Sequence, residues 1–142
     1  MADFQVCDFS VPLNCQRGEA RIYLLWPCSA LELHRFLMWE FSVDPGERDS
    51  WEGKCVTDDK VDEKNGCPTA VIALRKWEGN ADTIAVLAHE CFHAAEWILQ
   101  RSGFPPPAAL PGEPWEARED MAYLLQRIMR RALGKLPKAQ VG

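Results

Sequence analysis

Two of the three histidines in this chain stand four residues apart, in the run His89-Glu90-Cys91-Phe92-His93. On a helix, residues i and i+4 share one face with Cβ atoms about 5–6 Å apart, so two imidazoles at this spacing can take adjacent corners of one tetrahedral zinc ion (Zn2+). Glu90 is rotated off that face and comes beside the metal, where a carboxylate can take a proton from water whose pKa zinc has lowered toward ~7. The pattern points to a metal centre for hydrolysis, with His89 and His93 as ligands and Glu90 as general base. Hydrogen bonds alone could also satisfy two such histidines, so the elements that carry them matter.

The run lies within a segment that reads as one long helix, from Asn80 as N-cap to Gly103, a natural left-handed terminator before Phe104-Pro105-Pro106-Pro107. On a helical wheel Asp82, His89, His93, Glu96 and Gln100 gather in one narrow polar stripe, and apolar residues fill most of the remainder. A helix apolar nearly all round is expected to be buried, and polar groups buried there need a partner, since leaving one unpaired costs a few kcal/mol. A metal is the economical partner. Cys91 projects away from the stripe and reads as core. Glu96 shares the stripe and can orient an imidazole through its other ring nitrogen.

Zinc needs a further protein ligand. The sixth residue after His93 is Leu99 and the third is Glu96, which excludes the pattern that supplies a third histidine downstream. A carboxylate is the remaining choice, and Glu113, Glu116, Glu119 and Asp120 cluster at the start of the last helix, which reads from Pro114 to about Leu133. Glu119 sits at the edge of that helix's apolar arc and can face a neighbouring helix; Glu116, its substitute, points to the polar side. Tyr123, one turn later, could donate to the oxyanion of a tetrahedral intermediate, and Arg118 within the arc could pair with a buried carboxylate or snorkel outward.

The rest of the chain supplies the frame. Its 142 residues amount to a single domain spanning 1–142. Ala20 to Trp26 reads as a buried strand, and Ser29 with Glu32 has the spacing of a capping box that opens a helix to about Phe41 before Asp44-Pro45-Gly46. Residues 1–20 look irregular, and 44–66 look like polar loops around a short strand near Lys54 to Thr57. Thr69 to Trp77 is the clearest strand. His34 falls mid-face on an apolar helix and reads as a satisfied core histidine. The six tryptophans read as core.

Sixteen Lys+Arg against twenty-one Asp+Glu give a net charge of −5, which argues against nucleic acid as a partner. No apolar stretch approaches the ~18 residues of a membrane span, and Met1 to Val11 lacks the basic start and apolar run of a secretory signal, so a cytoplasmic setting is expected. The six cysteines form no C-x-x-C pair and read as buried free thiols.

His89-Glu90-x-x-His93-Ala94, followed by a helix with Glu119-x-x-Ala122-Tyr123-Leu124, resembles the gluzincin branch of zinc metallopeptidases, in particular the short single-domain forms of phages and prophages. The similarity covers about residues 69–130. It implies zinc held by His89, His93 and Glu119, Glu90 as base, and a sheet edge, carried over as Thr69 to Trp77, that holds an extended peptide or protein substrate. The fold it implies is α+β and zincin-like: a small, mostly antiparallel sheet packed against the active-site helix and a glutamate-bearing C-terminal helix. A non-catalytic metal-binding or interaction domain is the alternative.

Overall fold

Alternation builds the first element. In Gln5–Pro12 (β1) Cys7, Phe9 and Val11 turn inward while Asp8 and Ser10 turn out, the period-two pattern of a strand with one buried face. β1 pairs antiparallel with Glu19–Trp26 (β2) along its whole length, from Gln5 opposite Trp26 to Pro12 opposite Glu19. The expectation of irregular structure over residues 1–20 is thus corrected, because the alternation at Cys7, Phe9 and Val11 outweighs the punctuation by Pro12. A computed structural model describes residues 4–13, 18–46, 50–102 and 115–138 of the chain, and for 115–118 the backbone alone.

Ala30–Phe41 (α1) starts where the capping box places it: the Ser29 hydroxyl accepts from the Glu32 backbone N–H, and Glu32 accepts from the Ser29 N–H at 2.9 Å. The chain then enters Gly53–Val56 (β3), a short helix Asp59–Asn65 (α2), and Thr69–Leu74 (β4). The polar segment read as loops therefore contains a helix, capped by Asp58 and closed by Gly66 at φ 68°. Its single buried residue, Val61, leaves no periodicity to read. Ala81–Arg101 (α3) and Trp115–Lys135 (α4) complete the order. Asn80 caps α3 as expected, accepting from Thr83 N at 3.0 Å, and the helix closes on Ser102; the expected terminator Gly103 and the start at Pro114 lie outside the described residues.

The sheet runs β1-β2-β4-β3. β1 with β2 and β4 with β3 are antiparallel, while the central pair β2 and β4 is parallel, so the sheet is mixed. β4 is buried on both faces, as a central strand between two layers must be. Ala70, Ile72 and Leu74 face α3 and α4, where they join Ile22, Leu24, Leu87, Ile98, Leu124 and Ile128. Val71 and Ala73 face the other way, onto Leu33, Leu37, Phe41 and Val61 of α1 and α2. The fold is α+β: four helices on the two faces of a four-stranded sheet. β4 stops at Leu74, three residues short of the expected Trp77, and Arg75 N–H turns to donate to Glu52 O at 2.9 Å. No helix among the described residues is long and apolar enough to cross a membrane.

Candidate metal centre

α3 presses Leu87, Cys91, Ala94, Ala95 and Ile98 into the core, which fixes its rotation and turns His89 and His93 outward. Both histidines are exposed, as are Ala85 and Phe92. The helix is therefore amphipathic and not buried all round, and burial cost does not oblige the histidines to find a partner. Their geometry carries the case instead. The rings stand with centroids 4.8 Å apart at 78°, and the two Nε2 atoms face each other at 3.2 Å.

His93 Nδ1 lies 3.2 Å from Glu96 Oε1. A carboxylate accepts, so this bond places the proton on Nδ1 and leaves Nε2 with a free lone pair, directed at His89. Two imidazoles bound to tetrahedral zinc at ~2.0–2.1 Å hold their nitrogens about 3.3 Å apart. The observed separation fits that requirement, and Glu96 fills the orienting role expected of it.

Glu90 is 7% exposed. Its ligand oxygen and the histidine nitrogens lie within 4.8 Å of one another. Burial pushes its carboxyl pKa up, and the neighbouring His89, His93 and Lys54 pull it partly back. A carboxylate held at raised basicity beside the ligand pair suits a proton acceptor.

The opposite wall comes from β3, which has β4 on one side and no strand on the other among the described residues. Gly53 is what lets this edge approach. A Cβ there would stand 2.5 Å from Val86 Cγ1 and 3.1 Å from Glu90 Oε2. Between β3 and α3 opens a cleft of about 490 Å3, lined along β3 by Gly53, Lys54, Cys55 and Thr57. Along α3 its lining runs from His89 and Glu90 through His93 to Trp97 and Gln100, and Trp51 also borders it. The sheet edge beside the histidines is thus β3; the expected strand, Thr69 to Trp77, lies inside the sheet between β2 and β3. An isolated glycine at the start of a short strand was the available signal for such a close approach.

The other expected site residues fall as follows. Glu119 is half-buried near the start of α4 and is not a member of the His89, Glu90 and His93 group. Tyr123 is 49% exposed on α4 and is not among the residues that line the cleft. The side chains of Glu116 and Arg118, and the whole of Glu113, lie outside the described residues. Cys91 is core, its thiol pushed up to about 12 by burial. The described cysteines are all free, but Cys7, Cys55 and Cys67 are only half-buried, and Cys55 borders the cleft. Trp97, expected in the core, is half-buried and forms part of the cleft wall. Comparison with protein-family models, with curated proteins and with solved structures finds no match to this chain.

Proposed function

We propose that this protein is a zinc-dependent hydrolase of peptide bonds, built like a small gluzincin. The observation that supports this most is the approach of His89 and His93 Nε2 to 3.2 Å at the rim of an open cleft, with Glu90 beside them. A purely structural zinc site closes its coordination shell and buries it, whereas these histidines are exposed, which favours catalysis over a stabilising metal. His89 and His93 are two ligands of the proposed set; Glu119 is the proposed third, with Glu116 as its substitute.

When bound, zinc would supply Lewis acidity, polarising the scissile carbonyl and acidifying water. Glu90 takes the proton from the attacking water and passes it to the leaving nitrogen as the C–N bond breaks. Glu96 keeps the His93 ring in the tautomer whose Nε2 can ligate. The edge of β3, unpaired by any strand among the described residues, can align an extended substrate by adding it as a further strand, the main-chain mode of peptide recognition.

The test is cleavage of a casein-derived peptide mixture by zinc-loaded protein and by Glu90→Gln, with metal content measured on both. Cleavage by the parent, lost in Glu90→Gln at equal zinc content, is the expected result. Equal cleavage by the two would remove Glu90 from the chemistry, and no cleavage by either would leave a metal-binding domain.

A further inference from the structure

The cleft extends past the histidines, and its far end has a chemistry of its own. Trp97 stands one helical turn beyond His93, about 6 Å along the axis. Its orientation is fixed from two sides. The indole Nε1–H donates to both Asp62 carboxylate oxygens at 3.2 Å, and the Arg101 guanidinium lies over the ring at 4.5 Å from its centroid. Arg101 in turn pairs with Asp59 and with Asp62, one guanidinium between two carboxylates. What Trp97 offers the cleft is therefore a rigid aromatic surface whose polar atom is already committed. Thr57 and Gln100, which line the same cleft, are uncharged, while Trp51 borders it from the other end of β3, two residues before Gly53.

Resting on the reading above, we propose that this end of the cleft is a specificity subsite for an aromatic or large aliphatic side chain of an extended peptide, with the Trp97 indole as its wall. Successive residues of an extended chain advance about 3.3 Å, so the selected side chain is one or two residues from the bond held at the histidines. An acidic side chain is disfavoured there, because two carboxylates face the one guanidinium, and stacking on an indole rewards apolar area.

Isothermal titration with Glu90→Gln protein, which keeps the cleft and prevents turnover, tests this. The probes are blocked pentapeptides of glycine and alanine that differ only at a central Phe, Leu, Ala, Asp or Lys. The Phe and Leu peptides are expected to bind at least ~10-fold tighter than the Ala peptide and the Asp peptide weakest, each ~1.4 kcal/mol being tenfold. Adding Trp97→Ala is expected to flatten the series to within about twofold. Since Trp97 also bonds Asp62, a second variant, Thr57→Trp, which fills the subsite and leaves that bond alone, is expected to flatten it as well. A flat series in the unaltered cleft, a preference for Lys, or an apolar preference that survives both changes would overturn the subsite. The zinc and casein measurements on the same protein stand apart: a Phe preference without cleavage by the parent sinks the hydrolase reading alone, and cleavage with a flat series sinks the subsite alone.

Discussion

His34 on α1 and His93 on α3 stand on helices that pack on opposite faces of one sheet. His34 is half-buried, its Nδ1 is enclosed without a hydrogen-bond partner among the described residues, and the nearest carboxylate oxygen, Asp44 Oδ1, is 3.7 Å away. His93 is exposed, yet both of its ring nitrogens are directed, Nδ1 to Glu96 and Nε2 to His89. The expectation of a satisfied core histidine at position 34 therefore does not hold for its Nδ1, because no acceptor among the described residues comes within bonding distance of that atom. Burial alone does not mark out the candidate ligand of the two. What separates the two is whether the neighbours fix a tautomer and aim a lone pair, and α3 supplies both from residues three and four positions away, where helix geometry makes neighbours.

Changes on the two sides should separate accordingly. The largest effect is expected from His93→Ala, which should reduce zinc content from about one equivalent per chain to near none, read by elemental analysis. Glu90→Gln should keep the zinc and lower kcat by about 10²–10⁴-fold, the usual contribution of a positioned base. Glu96→Gln removes the carboxylate that accepts from His93 Nδ1 and should weaken zinc binding by about 10–100-fold, measured by chelator competition. Gly53→Ala drives a Cβ to within 2.5 Å of Val86 Cγ1 and 3.1 Å of Glu90, so β3 must yield. A thermal scan should show a loss of about 1–3 kcal/mol, the range for overpacking. The smallest effect belongs to the other face. His34→Leu removes a polar atom with no hydrogen-bond partner among the described residues and should leave stability within about 1 kcal/mol or raise it, with zinc content unchanged. If His34→Leu disturbed zinc as much as Glu96→Gln, the contrast between the two histidines would collapse.

The parts of this fold that local chemistry determines were readable from the residues. The α1 capping box, the Asn80 cap of α3, the inward Cys91 and the Glu96 to His93 contact each depend on residues within one or two turns. What escaped depends on partners distant in sequence. β3 becomes the edge beside the histidines only because β4 pairs with β2 as well as with β3, and Gly53 matters only because Val86 and Glu90 arrive opposite it. Trp97 reads as core in any periodicity count; its place on the cleft wall follows from α2, whose Asp62 holds the indole from 35 positions away in sequence. β1 is the exception, a long-range pair whose period shows locally, since Cys7, Phe9 and Val11 alternate with Asp8 and Ser10.

The central claim is that the paired Nε2 atoms and Glu90 form one hydrolytic site, and a zinc titration of metal-stripped protein tests it most directly. With cleavage of a fluorogenic casein peptide followed at each addition, the rate should rise and level off at about one equivalent of zinc, and Glu90→Gln should stay flat at the same occupancy. A rate that zinc leaves unchanged, whether already high in the stripped protein or absent throughout, would contradict it.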